Sequence, residues 1–184
     1  MTDSELIDRV LKGERHAFTI LVNNHKDMAF SLALRITKSE NLAEEVAQDA
    51  FLKVYTALSG FRKESRFTTW LYRIVINAAY TKLREKKPYE KVQFTDNFIE
   101  VETGLDGFDR LSVKERGESI KKALGELEKM DAVILTLFYL EEYSVEEMVE
   151  TTGFSKANVK VKLHRARKKL AEVIEKKYVE LLNQ

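Results

Sequence analysis

The chain has 184 residues, enough for one medium domain or two small ones, and its 44% hydrophobic and 33% charged residues suit a folded protein. It has no cysteine, which excludes disulfides and thiolate metal sites, and its longest apolar runs fall short of the ~20 residues that span a bilayer. The net charge of +1 hides two basic blocks: residues 60–87 carry 8 Lys/Arg against 2 Asp/Glu, residues 155–177 carry 9 against 2, and residues 89–151 between them carry 7 against 16.

With 7 glycines and 1 proline, turns are few and helices are expected throughout. "DSELIDRVLKG" places Leu6, Ile7, Val10 and Leu11 at helical spacing and stops at Gly13. "RHAFTILVNNHKDMAFSLALRIT" follows, then "SENLAEEVAQDAFLKVYTAL", with Ser39 as the expected N-cap and Leu42, Val46, Ala50 and Val54 on one stripe. The loop "SGFRKES" leads into "RFTTWLYRIVINAAYTKLREKK". In this helix Phe67, Leu71, Ile74, Val75 and Ala78 share an apolar face. Arg73, Asn77, Tyr80, Arg84 and Lys87 form a narrow second stripe of cations, an amide and a phenol. Pro88 marks the helix end.

Residues 89–115 show no sustained period and read as a flexible acidic linker. Helical periodicity returns near Arg116, which divides the chain into an N-terminal domain of residues 1–88, the linker, and a C-terminal domain of residues 116–184. The expected fold is all-α, with two small helical domains. Ser144 and Glu147 form a capping box, Gly153 allows a tight turn, and Ser155 caps a longer helix. That helix buries Val159, Leu163, Ala166, Leu170 and Val173 and exposes Lys156, Asn158, Lys160, Lys162, Arg165 and Lys169. A short helix, a glycine turn and a basic helix make a helix-turn-helix layout, with an ordinary helical hairpin as the alternative. The two basic blocks suggest two contacts with a polyanion, although two solvated helices with lysine-rich ends give the same charge pattern.

Catalytic patterns are thin. His16, His25 and His164 are not spaced for a shared metal, and the acidic pairs are adjacent in sequence, so both members cannot easily face one ligand. No glycine-rich phosphate loop or nucleophile elbow is present. No catalytic residue, metal or cofactor is expected.

"LAEEVAQDAFLKVYTAL", "GFRKESRFTTWLYRIVINAAYTKLREKK" and "YSVEEMVETTGFSKANVKVKLHRARKKL", in this order and spacing, carry a resemblance over nearly the whole chain. The chain resembles the extracytoplasmic-function sigma factors, the short two-domain branch of the bacterial sigma-70 family. The resemblance implies a non-enzymatic subunit that gives RNA polymerase core its promoter recognition and melting capacity. Its first domain would bind the −10 element as it melts, and its second the −35 element as duplex.

Asn77 matches the family's base-contacting asparagine, whose amide offers donor and acceptor together. Arg73, Arg84, Lys86 and Lys87 suit phosphates. The loop implies a pocket for a flipped base, with Phe61 either its aromatic wall or core packing, and Trp70 read as core. Arg62, Lys63, Arg66 and Thr81 complete the −10 set that the resemblance implies. Ser155, Lys156, Asn158, Lys160, Lys162, Arg165 and Lys169 make the −35 set. Residues 45–58 match the core-polymerase motif, with Glu45, Gln48, Asp49, Leu52 and Tyr55 facing the clamp.

The family usually has glycine where Glu142 stands, a Gly-Thr pair at Ala157 and Asn158, and an aliphatic residue at Thr152. These departures bear on promoter sequence more than on fold. The implied partners are RNA polymerase core, promoter DNA and an anti-sigma factor. The N-terminus shows no signal peptide, so a cytoplasmic location without membrane insertion is expected. A stand-alone helix-turn-helix regulator that binds an operator is the rival reading, and an all-helical enzyme or adaptor would need a pocket that the sequence does not advertise.

Overall fold

A computed structural model gives the fold of residues 1–86 and 123–182, and among these every regular element is helical. Lys87, Pro88 and the acidic stretch 89–115 lie outside the described residues. Helix α1 runs Asp3–Leu11, α2 Arg15–Thr37, α3 Glu40–Ala57 and α4 Phe67–Lys86, with a 3-10 turn at Leu58–Gly60. After a short helical turn at 123–126 come α5 (Lys129–Tyr139), α6 (Val145–Thr152) and α7 (Lys156–Leu182).

The helix ends follow from local chemistry. Thr2 opens α1 with a capping box: its hydroxyl accepts the Glu5 N–H at 3.3 Å, and the Glu5 carboxylate accepts the Thr2 N–H at 2.8 Å. A reading that starts the helix pattern at Asp3 passes over this cap. Ser39 occupies the N-cap of α3 but its hydroxyl caps nothing. Instead Thr37 Oγ1 donates to the Ser39 carbonyl at 3.1 Å, so the cap expected from sequence is only positional. Helix α2 closes on Lys38 in the left-handed region (φ 56), whose N–H returns to the Leu34 carbonyl.

Helix α4 is apolar around most of its girth because it packs on two sides. It meets α2 and α3 on one flank and α6 on the other. Phe67, Leu71, Val75 and Ala78 are buried as the periodicity predicts, while Ile74 is half-buried. Helix α5 is more enclosed still, with every residue from Asp131 to Leu137 buried between α2 and α7. The buried side chains of α1–α4 and of α5–α7 form one continuous core cluster.

Candidate nucleic-acid interface

Helix α4 presents a row of exposed polar side chains at Arg73, Asn77, Thr81 and Arg84. The steps of four, four and three place them on one face. Thr81 Oγ1 donates to the Asn77 carbonyl at 2.9 Å and Arg84 Nε to the Tyr80 carbonyl at 3.4 Å, so both side chains lie back along the helix. Tyr80 does not belong to this row. It is 5% exposed, and burial pushes its phenol up to about 12. A phenol at helical spacing reads as polar in sequence, but its ring carries it into the core.

The loop at residues 61–66 precedes α4. Phe61 is half-buried, its ring 5.0 Å from Trp70 and 6.0 Å from Phe67. Trp70 is half-buried as well, so both readings of Phe61 keep their footing: the ring packs on the core and still reaches the surface. Arg62 extends into solvent. Lys63 adopts a positive φ of 58°, and its ammonium donates to Asp8 Oδ1 at 2.6 Å, tying the loop to α1.

Arg66, one of the cations of the −10 set, faces the C-terminal half in the fold. Its Nε donates to Glu147 Oε1, and its guanidinium lies 4.8 Å from the centre of the Tyr143 ring. Nothing in the local sequence links these residues, 81 positions apart. The Arg66 hydrogen bond holds the Glu147 carboxyl down to about 2. The contribution of the pair is therefore complete above the ordinary carboxylate range and lost only as pH falls toward about 2.

Around this pair the Tyr72 and Tyr143 rings stack at 6.2 Å with 19° between planes. Burial raises the Tyr72 phenol, and it also raises the neighbouring Glu141 carboxyl, which the Tyr72 hydroxyl partly offsets by hydrogen bonding. On the far side of α2, Lys38 Nζ donates to the carbonyls of Gly125 and Leu127 at 2.8 and 3.0 Å.

The helix-turn-helix forms as its sequence predicts. Ser144 and Glu147 make the reciprocal cap of α6, and Gly153 (φ 75) closes it with an N–H to the Val149 carbonyl at 2.9 Å. Ser155 Oγ accepts the Asn158 N–H at 3.2 Å to open α7. Val159, Leu163 and Ala166 are buried, whereas Leu170 and Val173 are half-buried. Lys156, Lys160 and Arg165 are exposed, and Lys156 bridges the two helices through Glu146 at 2.6 Å. Lys162 lies 4.9 Å over the Phe154 ring. Lys169 instead faces α5, donating to Asp131 Oδ2 at 2.6 Å with Glu128 at 3.1 Å. That geometry gives Lys169 a structural task.

The turn into α6 explains one sequence departure. Glu142 has φ 53°, a backbone region that costs a side-chain-bearing residue ~1–2 kcal/mol and glycine almost nothing. Because glycine also loosens the unfolded chain, Glu142→Gly should stabilise the protein by a net ~0.5–1 kcal/mol, raising Tm by ~1–4 °C. Thermal unfolding followed by circular dichroism measures this, and a lowered Tm refutes the strain argument.

On α3, Glu45, Gln48, Asp49, Leu52 and Tyr55 are all exposed. Leu52 is 66% exposed and Tyr55 47%. With Phe18 and Val22 of α2 they border an apolar groove of about 630 Å³, floored by Ala47 and Phe51. Lys82 of α4 reaches Glu45 at 3.1 Å and Asp49 at 3.8 Å, fixing the charged end of this face. Among the described residues no cluster of His, Asp and Glu could hold a metal ion, and no helix is long and apolar enough to cross a membrane.

Residues 21–88 match the family described as Sigma-70 region 2, and residues 117–170 match Sigma-70, region 4. The chain is 31% identical to the ECF RNA polymerase sigma-E factor of Haemophilus influenzae, covering 99% of this chain and 98% of that protein. The chain belongs to the sigma-70 family. Another of its relatives is the ECF RNA polymerase sigma factor SigW of Bacillus subtilis, 28% identical over 89% of this chain and 92% of that one. The fold is shared with a Bartonella quintana sigma factor solved in complex with the anti-sigma factor NepR, at a TM-score of 0.63 and 22% identity over 86% of this chain and 96% of that one. This sigma factor therefore acts in promoter recognition and transcription initiation. Region 2 takes in most of α2 with α3 and α4, and region 4 takes in α5, α6 and the first half of α7.

Proposed function

We propose that this sigma factor reads the −10 element through Arg73, Asn77, Thr81 and Arg84 of α4, with a flipped base received at the loop of Phe61, Arg62, Lys63 and Arg66. The observation that carries the reading is the exposed amide of Asn77, flanked at one helical turn by Arg73 and near Arg84. An amide between two cations suits one base edge between two phosphates. Lys87 joins this set from sequence alone.

The −35 element falls to the N-terminal turns of α7, where Ser155, Lys156, Asn158, Lys160, Lys162 and Arg165 cluster. Lys169 is left out because its ammonium is held by Asp131 and Glu128. The α3 face at Leu52 and Tyr55 docks RNA polymerase core in the cytoplasm. The protein performs no covalent chemistry; it contributes binding energy and position. A helical anti-sigma partner would fit the same surfaces; the Bartonella quintana sigma factor of the same fold was solved in complex with the anti-sigma factor NepR.

Transcription with purified core polymerase on a promoter library tests this reading. Promoter-specific transcripts support it; tight operator binding with no effect on core polymerase favours the stand-alone regulator. Within the −35 set, Lys160→Ala should weaken duplex binding across sequences and reduce the slope of log affinity against log salt by ~1, the signature of one lost phosphate contact. An unchanged slope with relaxed specificity at one position instead makes Lys160 a base reader.

A further inference from the structure

We propose that helix α1 is a positioning element for −10 reading: Asp8, acting through Lys63, holds the base-receiving loop in the shape that discriminates among bases. The inference rests on the assignment of that loop to a flipped base above. Helix α1 precedes the segment matched to Sigma-70 region 2, which begins at residue 21. It is nonetheless built in beneath the loop. Leu6 and Ile7 are buried in the common core, and α1 packs against the 3-10 turn Leu58–Gly60 that feeds the loop.

Two ties run from α1 toward the loop. In the first, Asp8 Oδ1 accepts from Lys63 Nζ at 2.6 Å, across 55 positions of sequence. In the second, Asp3 Oδ1 lies 2.9 Å from His25 Nε2, and the His25 ring sits 5.4 Å from Phe67. Phe67 in turn is 6.0 Å from Phe61, the aromatic of the loop. One tie reaches the loop itself, and the other the ring that supports it. Asp8 gains nothing for α1, since it stands in the last turn, where the helix dipole disfavours a negative charge. Its partner in the loop explains it.

Magnitudes decide what the first tie can do. Lys63 has φ 58°, a region that a residue with a Cβ populates roughly 5- to 30-fold less readily than the right-handed one. The Lys63 and Asp8 side chains are 38% and 53% exposed, so their pairing shifts a balance by only ~1.5- to 5-fold. The pair therefore does not create the turn. It biases a loop whose alternatives lie close in energy, and a preshaped pocket loses less freedom when it captures a base. Because its ammonium is occupied, Lys63 contributes shape to the loop rather than charge.

The test uses holoenzyme assembled with the full chain, on promoters carrying each of the four bases at the captured position. The rate of open-complex formation is measured on each, with affinity for core polymerase as the control. Wild type should prefer one base. Asp8→Asn should slow the preferred promoter by ~2- to 5-fold and the others by less, compressing the preference. If Asp8 merely neutralises Lys63, Asp8→Asn frees a cation and instead strengthens binding to every sequence, with a salt slope steeper by ~1. That result overturns the positioning role, as does a preference that survives Asp8→Asn intact.

A charge swap gives the second arm. Lys63→Asp alone should compress the preference, and adding Asp8→Lys should restore it. Circular dichroism checks each fold, and the swap carries the test should Asp8→Asn unfold. A preference lost in Lys63→Asp and not restored by the swap makes Lys63 a direct DNA contact and overturns the inference. A wild type that prefers no base at this position overturns the loop assignment itself, which separates failure of the proposed function from failure of the role of α1.

Discussion

Replacing Asn77 with alanine should reduce transcription from cognate promoters by roughly 5- to 150-fold, the equivalent of losing one well-formed base contact at ~1–3 kcal/mol. The side chain is exposed, and the packing of α4 runs through Leu71, Val75 and Ala78 on another face. Folding should therefore change by no more than ~0.5 kcal/mol, as for an ordinary surface substitution. Thr81 Oγ1 bonds the backbone carbonyl of Asn77, not its amide, and alanine keeps that group. Promoter-specific transcription, measured beside a core-binding assay, separates the outcomes. Full activity would remove Asn77 from the −10 surface, and loss of core binding would make it structural.

A second large effect is expected at Leu52. This leucine is 66% exposed at the rim of the groove that Tyr55 and Phe18 share, so it adds little to the stability of the free chain. Interface hot spots cost ~2 kcal/mol or more when truncated, and although leucine is rarer among them than Trp, Tyr or Arg, a charge placed there adds its own desolvation cost. Leu52→Asp should weaken binding to core polymerase by at least ~30-fold, because an uncompensated carboxylate replaces the buried methyls at the interface. The thermal midpoint should stay within a degree or two. An unaltered affinity would move the docking surface away from α3, while a sharp fall in Tm would mean that Leu52 belongs to the core after all.

The parts of this fold that sequence reveals are those decided within a few residues. The Ser144–Glu147 cap, the Gly153 turn and the Val159–Leu163–Ala166 stripe all depend on neighbours in the chain, and each stands where its spacing places it. What the sequence does not show lies where a distant element decides the surroundings. Tyr80 has the spacing of the polar row but burial draws its ring inward. Lys169 has the spacing of the basic face but Asp131, 38 residues upstream, captures its ammonium. Arg66 matches a phosphate binder in composition, and only the fold reveals Glu147 as its partner. Charge counting along the chain sees the cations and cannot see which are already matched. The positive φ at Glu142 is a partial exception, since the departure from glycine marked the position without giving the reason.

The aromatic cluster beneath the loop has a spectroscopic consequence. Trp70 is the single tryptophan of the chain, half-buried, with its ring 5.0 Å from Phe61. Ultraviolet emission excited at the red edge therefore comes from this one indole, against a background of seven tyrosines. A base stacking on Phe61 would quench that emission without any attached dye, so duplex opening at the −10 element could be timed directly in the unlabelled protein.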